Sequence, residues 1–487
     1  MKRCKWIFIK LGLGFLGFFV ISAEAQINNS LYFMPGVPQS NRVNPAYQPH
    51  CSFYLGLPLL SPVRVETSSS AFAYGDVIYP HPKEDSLITF LHPLGNKQAF
   101  IDLLEPVNYV VSDLGTSLVS AGFNTKVGFF SMDVTTRVDG GIYYPGDMAR
   151  LILSGTEEGE TYQFDGGALD LSAFDEISAG WTAKILHNLQ VGVRGKLLFG
   201  VGNLTTTKSN FELTTSEDIW NIRSDMMFNA SLPFAEVQYD EDGNVEDIVL
   251  KEELENFNPW KLPKYMFNGR NLGMGVDLGV TYRPIHELML SASVLDIGYI
   301  RWKDEVHEVT YNTEFDYKGL EINPFEIPEG VTFGEHLDSL VSETLDSLSS
   351  FLVFNPGKYY SHRLNTKLYL GASYHVTPKI SFGLLSRTDF LKDRISQQFT
   401  ASANLTTGRM LNFTMSYSYI NAYFKNIGAG VSLNLGPFNM YLISDNALNV
   451  LFWPQETKSV NLWFGMNLVF GYKKVMANLY QDKPLVY

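Results

Sequence analysis

Only two cysteines occur in the 487 residues, and Cys4 lies in a stretch with the features of an export leader. Cys51 alone cannot make an internal disulfide, which excludes a stapled secreted module. After residue 25 no apolar run approaches the roughly 20 residues of a membrane-spanning helix. That excludes a helical membrane protein but not a barrel, whose strands are apolar on one side only. Basic residues are few, 37 against 51 acidic ones, for a net charge of −14. Loss of residues 1–25 would remove four Lys/Arg and one Glu, leaving 33 against 50 and a net charge of −17. Such a chain repels polyphosphate, so nucleic acid is excluded as a partner. The nine histidines are scattered, with no Cys or carboxylate at metal-ligand spacing. Gly-x-Ser-x-Gly, Walker and His-Glu-x-x-His patterns are absent. No catalytic residue, metal ligand or cofactor is therefore expected, and the chain is not expected to be an enzyme.

The leader has a basic start (Lys2, Arg3, Lys5), an apolar run from Trp6 to Ile21 broken only by Lys10, and the small residues Ala23 and Ala25 at a cleavage site. Export with cleavage after residue 25 is expected; an uncleaved anchor is the weaker alternative, because the run is short for a span.

The most informative stretch is Asn271–Tyr282. Leu272, Met274, Val276, Leu278, Val280 and Tyr282 alternate with Asn271, Gly273, Gly275, Asp277, Gly279 and Thr281. A period of two over that length is a β-strand with two unlike faces. It is long for a soluble sheet and matches the roughly 9–11 residues of a tilted membrane-crossing strand. Leu189–Val201, Leu411–Tyr419, Asn426–Leu435 and Val460–Phe470 repeat the pattern, each with a polar face rich in Gly, Asn or Ser, and Leu198 as an exception. The fold class expected is all-β: a transmembrane antiparallel β-barrel of about 14 strands (12–16), in the outer membrane of a Gram-negative bacterium. Tyr143, Tyr144, Tyr282, Tyr299, Trp302, Tyr359 and Tyr360 lie near strand ends, where interfacial girdles would place them.

Four segments are expected: a leader over 1–25, a proline-rich segment over 26–112, the barrel over 113–472, and a tail over 473–487. Nine of the 22 prolines lie between Pro35 and Pro93, arguing against regular sheet there. The segment can plug the lumen or lie in the periplasm as an arm; a plug is preferred, since about fourteen strands otherwise enclose an open aqueous hole. Two long inserts, near 231–266 and 320–357, are expected outside the cell. Within the second, Glu335–Phe351 has the spacing of an amphipathic helix. Asp240–Asp247 invites a calcium reading but reads better as a hairpin turn, since Val245 and Lys251 stand where a calcium loop requires Gly and Glu.

Ser30–Pro35 (SLYFMP), Pro38–Asn41 (PQSN) and Asn44–Tyr47 (NPAY) together resemble the start of an uncharacterised family of Bacteroidota outer-membrane barrel proteins, a domain of unknown function. Asn271–Tyr282, Asp296–Trp302 and the Asp482–Val486 ending are similar to it as well. The triplet Asn44, Pro45, Ala46 is also similar to that of long-chain fatty-acid transporter barrels, and with Tyr47 to barrel proteins of type IX secretion and gliding. The resemblance implies a fourteen-stranded barrel with an N-terminal hatch, and Asn44, Pro45, Ala46 and Tyr47 as a hatch motif.

Strand phase turns Arg194, Lys196 and Asp277 toward the lumen. They can pair with one another or with the plug, or they can receive a cargo head group; pairing is preferred because an unpaired buried charge is costly. Two functions fit. One is a diffusion channel for small hydrophobic or amphipathic molecules. The other is a non-transporting scaffold or surface-assembly component that binds surface or periplasmic proteins. Outer-membrane lipid surrounds the barrel in either case. By phase alone, Gly279→Ser on the lumen side should be mild.

Overall fold

The computed structural model describes residues 29–471 apart from 82–84, 156–158, 217–218, 240–244, 256–260, 318–351, 393, 408–409, 421–422 and 453–456. Its strands fill fourteen positions in one closed antiparallel sheet. The first, β1, is Phe53–Gly56 and, after an interruption, Val63–Ser69. Then come β2 (Val107–Thr125), β3 (Gly128–Pro145), β4 (Ala168–Leu186), β5 (Leu189–Thr215), β6 (Leu272–Tyr282) and β7 (Leu288–Trp302). Next is β8, made of Tyr360–Arg363 and Thr366–His375, followed by β9 (Ile380–Leu391), β10 (Arg394–Thr407) and β11 (Leu411–Ile420). The last three are β12 (Tyr423–Leu435), β13 (Phe438–Ser444) and β14 (Ser459–Phe470). The ring closes with Phe470 opposite Phe53 and Phe464 opposite Val63. Closure leaves no unpaired edge around the ring.

Burial is inverted relative to a soluble protein. In β10, Phe399 and Leu405 face out while Thr400, Ser402 and Asn404 are buried. Leu384 in β9 is 65% exposed and Leu278 in β6 is 47% exposed. An apolar outer belt around a polar lumen is the arrangement that lipid requires.

The barrel starts earlier than residue 113, which corrects the expected boundary. Residues 53–69 form β1, and Pro58 and Pro62 do not break the ring because they fall in the gap at 57–62, outside the ladder. The described residues between 70 and 106 then form a cap at the rim: a two-stranded ladder of Ile78–Pro80 with Leu87–Thr89, and a helix at Lys97–Asp102. Phe100 and Leu104 pack there against Phe72, Phe90 and Tyr144.

At β7 the alternation changes phase. Ser291, Ser293 and Leu295 face in, then Asp296, Ile300 and Trp302 do. The cause is a bulge: Leu295 and Asp296 together oppose Asp277, the β6–β7 register shifts, and Asp296 has φ 59°. Three expected girdle aromatics are corrected by burial. Trp302, Tyr143 and Tyr360 point inward, whereas Tyr282 and Tyr359 are exposed. Trp302 fills the space over Gly200 and shares an inner cluster with Leu198 and Phe174, which explains the exception at Leu198.

Connections on one side are short, such as Lys126–Val127 between β2 and β3. On the other side β5 outruns the ring. Its second half pairs with Trp220–Ser231, which pairs with Val306–Tyr317, which in turn pairs with Leu352–Pro356. Ala235–Tyr239 and Val245–Leu250 form the hairpin expected in the first insert, and Ile248 packs on Phe228 and Val309. The hairpin tip 240–244, the helix expected over Glu335–Phe351, residues 1–28 and the tail from 472 lie outside the described residues.

Leu278→Arg should impair assembly by about 2–4 kcal/mol if Leu278 sits at mid-bilayer depth. Urea denaturation in lipid vesicles reads this, and an unchanged midpoint would show that Leu278 does not face lipid.

Candidate functional site

Residues 29–51 bond to and pack on strands all around the ring. At one end the backbone N–H groups of Asn29 and Ser30 donate to the Asp445 carboxylate, the second at 2.7 Å, and Ser30 Oγ is 2.6 Å from Ser416 Oγ. Asp445 follows β13, and burial pushes its carboxyl up to about 7 against the opposing effect of those two donors. Further along, Gln39 Nε2 donates to Ser61 Oγ at 3.0 Å, and the Asn439 side chain donates to the Gly36 carbonyl at 3.2 Å. Near the short-turn side, Asn124 Nδ2 donates to the Cys51 carbonyl at 2.6 Å.

The motif Asn44, Pro45, Ala46, Tyr47 sits in a notch made by two glycines. Gly192 of β5 and Gly279 of β6 are directly opposed in the ladder. An added Cβ at Gly192 would lie 2.0 Å from the Pro45 carbonyl oxygen, and one at Gly279 would lie 2.2 Å from Asn44 Oδ1. Asn44 Oδ1 accepts from Ala46 N at 2.9 Å, which sets the turn. Thr182 Oγ1 and Gln190 Nε2 donate to the carbonyls of Pro45 and Ala46, each at 2.6 Å, and Ser293 Oγ donates to the Val43 carbonyl at 2.7 Å. Tyr47 meets Tyr32 edge-on, and Tyr32 stacks on Tyr369.

The interior has two unlike halves. Leu31, Tyr32, Met34, Val37 and Val43 pack with Leu295, Tyr369, Leu385, Tyr441, Ile443 and Trp463 as an apolar half. The other half holds the charges. Among the described residues seven cations (Arg42, Arg64, Arg137, Arg194, Lys196, Lys367, Arg387) lie there among Glu66, Asp113, Asp133, Asp139, Glu176, Asp277, Asp296 and Asp389, and each cation is within 4.0 Å of a carboxylate. Arg137 sits among Asp296 at 2.9 Å, Asp139 at 3.0 Å, Glu176 at 3.4 Å and Asp113 at 3.6 Å. Pairing of this kind is what lets charges remain out of water. A cavity of about 50 Å³ lies between the halves, touched by Val43, Leu295, Tyr369 and Trp463 on one side and by Arg64, Arg137 and Lys367 on the other.

Arg194, Lys196 and Asp277 all face the lumen. Lys196 bridges Asp277 at 2.8 Å and Asp296 at 2.6 Å, while Arg194 stands 3.6 Å from Asp133. Asp277 Oδ1 also accepts from the Asp296 backbone N–H at 2.7 Å, tying it to the bulge. Sequence reasoning missed Arg42, Asp133, Arg137 and Asp296. The row Asp133, Thr135, Arg137, Asp139 against Met132, Val134, Thr136, Val138 carries a dyad signal that would have found two of these. Arg42 has no periodic context, and Asp296 lies where the phase switches.

Ser172, His362 and Asp170 also converge. His362 Nε2 is 2.7 Å from Asp170, but Nδ1 is 3.5 Å from Ser172 Oγ, which accepts from Asn203 at 2.8 Å. That hydroxyl is beyond the ~2.6–3.2 Å reach of a general base. Among the described residues no group of His, Cys, Asp and Glu could hold a metal ion.

The fold defines a closed, fourteen-stranded transmembrane antiparallel β-barrel. The chain belongs to a family of unknown function, DUF5723, whose match spans residues 45–445. No curated protein matches it in sequence. Among solved structures it is similar to the Ralstonia pickettii toluene transporter TbuX, at 10% identity and TM-score 0.40 over 93% of this chain and 100% of that one. A Pseudomonas aeruginosa FadL homologue is similar at 7% identity and TM-score 0.39, also over 93% and 100%. The P. putida toluene transporter TodX is similar at 10% identity and TM-score 0.35, over 93% and 96%.

Gly279→Ser is therefore not the mild change that strand phase alone implies. It should lower the denaturation midpoint by overpacking worth about 1–3 kcal/mol. Gly275→Ala, whose Cβ would meet nothing closer than 3.6 Å, should leave the midpoint unchanged. Equal midpoints for the two variants would mean that Asn44 does not occupy the notch.

Proposed function

We propose that this protein is an outer-membrane channel for small hydrophobic or amphipathic molecules, held shut by residues 29–51 acting as a hatch. The observation that carries this reading is the divided interior: residues 31–43 pack on wall residues as an apolar half that faces a charged half, and the cavity between them touches both. A path with that lining suits molecules that have an apolar body and a polar end. The hatch is held by apolar packing, hydrogen bonds and the Arg42–Asp133 ion pair, with Arg42 the one Lys, Arg, Asp or Glu among residues 29–51. Such a segment can leave without exposing a large charged surface of its own. The long connections and the extension of β5 lie on the cell surface in this reading, as long loops do in bacterial barrels.

A second reading, a scaffold that binds surface or periplasmic proteins, is favoured by one observation. The β5 extension with its own apolar core projects beyond the ring, further than a bare channel needs.

In planar bilayers the intact mature protein should conduct ions poorly, and removal of residues 29–48 should give large, stable openings. Removal of 26–112 should instead prevent assembly, since it deletes β1. Unchanged conductance without 29–48 would count against the hatch and favour the scaffold.

A further inference from the structure

Asp133 of β3 faces two arginines from opposite origins. Its Oδ1 is 2.8 Å from Arg42 Nη2, which belongs to the hatch and also donates to Ser117 Oγ at 2.7 Å. Its Oδ2 is 3.6 Å from Arg194 Nη2, which belongs to the barrel wall, and has no hydrogen-bond partner. Arg194 Nε is likewise without one. The Asp133 side chain is 2% exposed and that of Arg194 is 4% exposed. One carboxylate thus has a tight partner that can depart and a slack partner that cannot.

We propose that Asp133 is an exchangeable counter-ion: Arg42 holds it while the hatch is seated, and Arg194 takes it over when the hatch leaves. The inference rests on the hatch reading above. A buried carboxylate that loses its only cation is strongly destabilised, and that cost would lock a hatch in place. Here Arg194 needs to move by less than the width of an atom to reach hydrogen-bond distance. The barrel wall therefore stabilises the open state as well as the closed one. Arg42 opposes opening and Arg194 assists it, although both are cations beside the same carboxylate.

The test is single-channel recording of the full mature protein with Arg42→Met, Arg194→Met and Asp133→Asn. Arg42→Met should raise the opening frequency on the order of tenfold or more, the lower end of close charge-pair couplings. Arg194→Met, which leaves the tight Arg42–Asp133 pair intact and so preserves folding best, should reduce it. Asp133→Asn, which removes the carboxylate from both arginines, should raise it, and adding Arg194→Met to that variant should change nothing further. If Arg194→Met raises opening as Arg42→Met does, or still acts in the Asp133→Asn background, the exchange is overturned even though the hatch stands. If removal of residues 29–48 leaves conductance unchanged, the hatch reading falls and the exchange falls with it.

Discussion

A fourteen-stranded ring encloses a space that must be flooded or filled, and filling it obliges every buried polar group to find a partner. Much of this molecule follows from that constraint. The polar faces of the strands are rich in Gly, Asn and Ser because a length of chain lies against them. Gly192 and Gly279 leave room for the Asn44–Ala46 backbone, while Thr182, Gln190 and Ser293 bond the carbonyls it would otherwise leave unsatisfied. The same side-chain types serve equally well facing water, so their chemistry alone does not distinguish a packed lumen from a wet one.

Charge follows the same rule on the other half of the interior. Arg137 reaches from β3 to Asp296 on β7, so the network ties strands that are not sheet neighbours. The bulge at Asp296 makes this possible by turning one carboxylate inward out of phase. It then receives Arg137, Lys196 and, more distantly, Lys367. The same shift sends Ile300 and Trp302 into the lumen, where they pack over Phe174 and Leu198. A single extra residue in one strand thus shapes both the ionic centre and the apolar cluster above it.

The barrel was legible because lipid on one side and polar lumen on the other impose a strict period of two. Asn271–Tyr282 and Leu189–Val201 carry that information, and their phase puts Asp277, Arg194 and Lys196 on the polar face, where the structure pairs Lys196 with Asp277 and sets Arg194 beside Asp133. What was illegible lay where the period fails. Pro58 and Pro62 concealed β1, since a strand interrupted for six residues has too few alternations on either side to register. Trp302, Tyr143 and Tyr360 were misdirected because position along a strand says nothing about face once a bulge or a strand end intervenes. Arg42 was invisible for a different reason: its partners are fixed by tertiary packing of an irregular segment, and no local pattern encodes them.

The central claim is that residues 29–51 occupy the lumen of the assembled barrel in its native membrane. Ser30 Oγ and Ser416 Oγ are 2.6 Å apart across that interior. A variant carrying Ser30→Cys and Ser416→Cys, oxidised in intact cells, should form an intramolecular disulfide in nearly every molecule, visible as a shifted band on a non-reducing gel. Free thiols at both 30 and 416, with the one at position 30 open to a bulky periplasmic labelling reagent, would contradict the account.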